Sequence, residues 1–194
     1  MNVNVRQIHG LWNLGYSLDK HTLSSVYLGD NEYGHPTFET TRSEVGEALY
    51  LLKYQSDQSQ IDALAKQIAV SLGRYFKSTS FVMPMPPSKQ RAVQPVMAIA
   101  KQVAAQMGVP CIDNVLVKTA HTPQMKDIPV REDRVNALCS AFVVNDVLAD
   151  GKHDVLIVDD LYDTGSSLEA ATIMLRKYKK IQNIFVATLT RKNP

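Results

Sequence analysis

The chain has 194 residues, 45% hydrophobic and 21% charged, which suffices for one domain with a sizeable core and excludes a disordered polyelectrolyte. Lys and Arg number 21 against 19 Asp and Glu, a net charge of +2 that requires no polyanionic partner. The two cysteines, Cys111 and Cys139, form no CxxC pair, which argues against a disulfide scaffold and a cysteine-rich zinc module.

The opening segment MNVNVRQIHGLWNLGYS has no apolar signal core, and no stretch approaches the roughly 20 apolar residues of a membrane span. The chain reads as a soluble cytoplasmic protein with no membrane partner. Next, GYSLDKHTLSSVYLGDNEYGHPTF is turn-rich with β-prone pieces, and EVGEALYLLKY and IDALAKQIAVSLGRYF have the spacing of amphipathic helices. Residues 1–77 read as an arm or hood-like segment beside a core spanning 78–194, the whole forming one compact unit.

SFVMP (80–84) is a short apolar run stopped by prolines, with turn-like PPSKQ after it. AVQPVMAIAKQVAAQMG (92–108) has helical spacing at Val96, Ile99, Ala100, Val103 and Met107, with Gly108 as its stop. CIDNVLVK is a further strand. HTPQMKDIPVRED (121–133) has no sustained period and reads as a loop leading into a short helix. AFVV and VLIV are strands, SSLEAATIMLRKY is a helix and IFVATLT a closing strand. This alternation predicts an α/β domain with a mainly parallel sheet flanked by helices, and a strand buried on both faces explains the unbroken VLIV. Residues 76–194 hold fifteen Lys/Arg and eleven Asp/Glu, against six and eight in 1–75, a tilt that suits phosphate binding.

The chemistry concentrates in VLIVDDLYDTGSSL. Ligands of open α/β sheets bind beyond the carboxyl ends of the strands, where Asp159 and Asp160 fall. Thr164, Gly165, Ser166 and Ser167 form the turn into the next helix, whose unpaired amides and dipole, with the hydroxyls, make a cradle for phosphate. Ser or Thr at a helix start is commonly a cap worth about 1 kcal/mol. A cap accounts for the serines and leaves the two acids unexplained.

This stretch resembles the phosphoribosyl-pyrophosphate (PRPP) motif of type I phosphoribosyltransferases: four apolar residues, two acids, two apolar residues, a small or acidic residue, then Thr-Gly. The resemblance implies the type I phosphoribosyltransferase fold, with Asp159 and Asp160 on the ribose hydroxyls and Asp163 to Ser167 around the 5-phosphate. LLKYQSD (51–57), MPMPPSKQR (83–91), TPQMKDIPVREDRVNAL (122–138) and AF (141–142) are similar to the ComF family, described as competence-associated or amidophosphoribosyltransferase-like. Members of that family often begin with a cysteine-rich zinc module, which this chain lacks.

By the same resemblance, Ser88, Lys89 and Arg91 meet the pyrophosphate. The loop 118–134, with Lys118, Lys126, Arg131 and Arg134, corresponds to a flap that closes over PRPP. Lys126 and Arg134 are its candidate ligands, Arg131 is read as decorating a helix face, and Lys53 and Tyr54 are a weaker third set with a structural role as the alternative. Asp163 replaces the Thr or Ala of many relatives and resembles the base of the 6-oxopurine phosphoribosyltransferases. Only 26 residues follow Leu168, so a nucleobase falls to the N-terminal segment, to Trp12, Tyr16 or Tyr27.

The implied function is Mg²⁺-dependent transfer of ribose 5-phosphate from PRPP to an unidentified nitrogen acceptor, with Asp163 and Arg91 catalytic. Mg²⁺ is expected on the pyrophosphate and ribose oxygens and at Asp159 and Asp160, and the resemblance implies a homodimer. The alternative is a non-catalytic PRPP-sensing or nucleic-acid-handling protein using RKYKK (176–180) and TRKNP (190–194).

Overall fold

The computed structural model describes residues 1–88, 94–119 and 128–192. In chain order come strands β1 (Arg6–Gln7), β2 (Leu14–Lys20), β3 (Thr22–Asp30) and β4 (Pro36–Arg42), then helices α1 (Glu44–Tyr54) and α2 (Gln60–Leu72). Strand β5 (Phe81–Pro84), α3 (Pro95–Met107), β6 (Leu116–Lys118), α4 (Arg131–Ala141) and β7 (Phe142–Val144) follow. The chain closes with β8 (His153–Tyr162), α5 (Ser166–Arg176) and β9 (Ile181–Arg191).

The central sheet has the order β1-β2-β9-β8-β5. Its β2–β9, β9–β8 and β8–β5 pairs are parallel, and the two-residue β1 joins antiparallel at the edge. The expected mainly parallel α/β sheet is therefore present. Val155 to Val158 of β8 are fully buried, because helices cover both faces of the strand. Val155 and Ile157 pack with α4 and α5, and Leu156 and Val158 with α1, α2 and α3. Full burial of each such side chain contributes about 1.5–3 kcal/mol. Helix α3 ends where its glycine predicts: Gly108 has φ 69° and its amide closes the last turn.

Two elements differ from the sequence reading. In CIDNVLVK only Leu116–Lys118 is a strand, and it pairs antiparallel with β7 in a separate two-stranded sheet. Cys111 makes a single parallel bridge to Val82 instead; Asp113 and Asn114, both turn formers, break the run between them. The N-terminal segment, read as packed beside the sheet, places β2 inside it between β1 and β9. Leu18, Val45, Leu49, Leu64 and Ile68 from this segment are buried in the core on the α1–α3 face. What projects is the β3–β4 hairpin, with Leu23, Val26, Tyr27, Leu28 and Phe38 each more than half exposed. Strand β2 runs parallel to β9 and β9 to β8, so the hairpin leaves the sheet at the end that carries Asp159 and Asp160.

Candidate functional site

Strand side chains alternate in direction, so the adjacent acids of β8 diverge. Asp160 turns toward α1, where Lys53 Nζ lies 2.6 Å from its Oδ2 and both side chains are largely buried. Asp159 accepts the Asp160 backbone N–H at 2.8 Å, and burial together with the Asp160 charge pushes its carboxyl up to about 8. Ser17, Thr188 and Asp159 stand in register on β2, β9 and β8. This forms a polar row in which the buried Thr188 hydroxyl has no hydrogen-bond partner among the described residues. Lys53, from the weaker third set, is thus the charge partner of Asp160.

The turn after β8 is shaped by Gly165, whose φ of 77° suits glycine and whose Cα hydrogen faces the Tyr162 ring. A Cβ there would lie 2.9 Å from Tyr162 Cε2. Thr164 and Ser166 hydroxyls are 3.0 Å apart, and at the start of α5 the N-cap is Gly165, with the Ser166 amide 3.5 Å from the Thr164 hydroxyl that accepts it.

The two arginines of α4 reach different partners. Arg131 crosses to the turn, donating from Nε to the Thr164 carbonyl at 3.1 Å and pairing with Glu169 at 2.6 Å. Arg134, the expected flap ligand, folds back onto its own loop, donating to the Ile128 and Pro129 carbonyls at 2.6 and 3.0 Å. Those carbonyls precede the helix and need donors, which an arginine one turn later can supply. Asp163 is paired with Lys192 at 2.6 Å, with both side chains about half exposed. Ser88 is exposed on the loop leaving β5 at the same end of the sheet. Lys89, Arg91 and Lys126 lie outside the described residues.

The structure does not assemble the three aromatics into a platform. Trp12 is buried, 6.2 Å edge-on to Tyr162, with its indole N–H donating to the Ile8 carbonyl at 3.1 Å. Tyr16 stacks on Tyr75 at 4.1 Å, and Tyr27 sits beside Phe38 on the hairpin. Tyr54 is exposed beside Tyr50. Among the basic terminal stretches, Arg176 donates to the Leu11 carbonyl, Lys180 pairs with Asp146 and Asp150, and Arg191 is buried.

One group escaped sequence reasoning. His21, at the β2–β3 junction, holds its Nδ1 3.3 Å from the Thr190 hydroxyl, which itself donates to the Asp160 carbonyl at 2.9 Å. Burial lowers the pKa of His21, as do the charges of Arg42, Lys53 and Lys192, against the opposing pull of Asp160. Nothing local marks it: the surrounding segment has no period, and Thr190 is 169 residues away.

Among the described residues no cluster of three His, Cys, Asp or Glu side chains is placed to hold a metal, and no helix is long and apolar enough to cross a membrane. No protein-family model and no curated protein matches the chain. Solved structures with some likeness include adenine phosphoribosyltransferase from Saccharomyces cerevisiae, complexed with an imino-altritol bisphosphate and adenine. It is 14% identical, with a TM-score of 0.48 over 86% of this chain and 85% of that one. A hypoxanthine phosphoribosyltransferase from Staphylococcus aureus is 16% identical, with a TM-score of 0.42 over 69% of this chain and 67% of that one. Orotate phosphoribosyltransferase from Aeropyrum pernix is 17% identical, with a TM-score of 0.39 over 83% and 74%. At TM-scores below 0.5 these likenesses carry no argument, and the α/β class rests on the strand order and directions of the sheet itself.

Proposed function

We propose that this chain is a phosphoribosyltransferase of the ComF-like kind, transferring ribose 5-phosphate from PRPP to a nitrogen acceptor with release of pyrophosphate. The observation that carries the reading is the joint placement, at one end of a mainly parallel sheet, of a carboxylate pair and a glycine turn that opens a helix among hydroxyl side chains. Carboxylates accept from the vicinal hydroxyls of a ribose. The amides and hydroxyls of Gly165, Ser166 and Ser167 suit its 5-phosphate, reinforced by the helix dipole. Arg131, bound to the Thr164 carbonyl, fixes the shape of that turn.

A resident metal does not suit two diverging carboxylates, one already paired with Lys53. A cation carried by the substrate does: Mg²⁺ on the pyrophosphate oxygens would neutralise the leaving charge. The protein's share of catalysis is then positioning and preorganised charge, with Ser88 on the pyrophosphate side and Lys89, Arg91 and Lys126 assigned by resemblance alone. Asp163 and Lys192 pair with each other, which ties the turn to the end of β9 and leaves Asp163 an orienting role.

Calorimetric titration with PRPP and Mg²⁺ tests the site. The double variant Asp159→Asn/Asp160→Asn is expected to lose about 2–4 kcal/mol of PRPP binding through the hydrogen bonds of the two carboxyl groups. Unchanged affinity would refute the assignment. Pyrophosphate release measured with nucleobases, ammonia and amines then identifies the acceptor.

A further inference from the structure

We propose that His21 forms the acceptor side of this site, its Nε2 receiving the N–H proton of a neutral nitrogen nucleophile as ribose 5-phosphate is transferred to it. The proposal rests on the phosphoribosyltransferase reading and adds to it a proton acceptor and a class of acceptor substrate.

The placement is rigid. The His21 amide donates to the Arg191 carbonyl at 2.8 Å, fastening the junction to the carboxyl end of β9. Ser43 donates its hydroxyl proton to the Lys20 carbonyl and accepts the Gly46 amide at 3.0 Å, so the cap of α1 grips the residue before His21. The His21 carbonyl packs directly over Gly46, where a Cβ would lie 2.2 Å from the oxygen. Strand, helix and terminal strand therefore hold the imidazole beside Asp160 of β8.

Hydrogen-bond donors and acceptors then decide the tautomer. A threonine hydroxyl has one proton, and Thr190 gives it to the Asp160 carbonyl in the shorter of its two contacts, 2.9 Å against 3.3 Å. Toward His21 the Thr190 oxygen can only accept, so Nδ1 carries the proton. A neutral ring protonated at Nδ1 keeps its lone pair on Nε2. The charges that reach the ring come from Arg42 on β4, Lys53 on α1, Lys192 after β9 and Asp160 on β8, and the three cations disfavour imidazolium. Asp163, the other candidate base, is paired with Lys192.

The chemistry balances without a further reactant. The acceptor nitrogen's lone pair forms a bond to the anomeric carbon while the bond from that carbon to the pyrophosphate oxygen breaks, its electron pair leaving with pyrophosphate. The N–H proton passes to His21 Nε2 and from the imidazolium to solvent. A protonated amine has no lone pair to attack and is repelled by the same cations. The acceptor is therefore a nitrogen that is uncharged at neutral pH and bears an N–H, as in a heterocyclic base.

The test combines long-range proton–nitrogen NMR of the ¹⁵N-histidine-labelled chain at pH 7.5 with calorimetry and pyrophosphate-release kinetics on PRPP, Mg²⁺ and a panel of nucleobases and amines. His21 is expected to read as a neutral, Nδ1-protonated ring. His21→Phe is expected to lower kcat by about 100-fold, the lower end of general-base contributions, with PRPP affinity within about threefold of the wild type. His21→Gln, which keeps an acceptor oxygen, is expected to recover part of the loss. An Nε2-protonated ring or an imidazolium at pH 7.5 overturns the proposal even if the variants fold poorly, as does a His21→Phe enzyme with undiminished kcat. A wild-type chain that binds no PRPP refutes the underlying reading. One that turns over regardless of His21 refutes this inference alone.

Discussion

At the scale of single residues, Asp159 governs the electrostatics of the sheet end. Its carboxyl is held at about 8 in the folded chain, against about 3.9 for an unperturbed aspartate. The folded chain therefore holds this proton more tightly than the unfolded chain does. The associated stability is fully present below about pH 4 and is lost as pH rises through about 8. Asp159→Asn removes the cost of ionising a buried carboxyl. Scanning calorimetry without PRPP should show a stabilisation of about 1–3 kcal/mol at pH 9 and a clearly smaller one at pH 5. Equal shifts at both values would contradict the assignment. The acids are legible in the sequence because four apolar residues precede them in VLIVDD. Their partners are not, because Lys53 reaches Asp160 across 107 residues and no local pattern records such a meeting.

Individual elements show where local signals suffice. Helix α3 starts at Pro95 and stops at Gly108; the stop is legible because a left-handed glycine acts on its own backbone, whereas the helical spacing over 92–108 does not mark the start. Arg131 reaches the Thr164 carbonyl and Arg134 the loop before the helix, a division that helical spacing does not reveal. Glycines separate on the same ground. Gly46→Ala places a Cβ 2.2 Å from the His21 carbonyl and should cost about 1–3 kcal/mol in urea unfolding, as overpacking does. Gly73 has φ −53° and nothing within 4 Å of the point where a Cβ would stand, so Gly73→Ala should be neutral or stabilising by up to about 1 kcal/mol. Similar losses in both would mean that the junction at His21 is not packed as described.

For the molecule as a whole, the consequential fact is that β2 is an interior strand and that α1 and α2 cover the face carrying Leu156 and Val158. A chain begun at residue 78 exposes that face and leaves β9 without a neighbour on one side. It is expected to show no cooperative thermal transition by circular dichroism, whereas an independently folded core would melt cooperatively. The sequence by itself determined the α/β class, the stop of α3 and the carboxylate–glycine–hydroxyl stretch, because periodicity and turn chemistry act within a few residues. The tertiary structure alone decided that β2 lies beside β9, that Lys53 meets Asp160, and that His21 and Thr190 stand together at the carboxyl end of the sheet. Each depends on which hydrophobic faces bury one another, a choice that the whole chain makes at once.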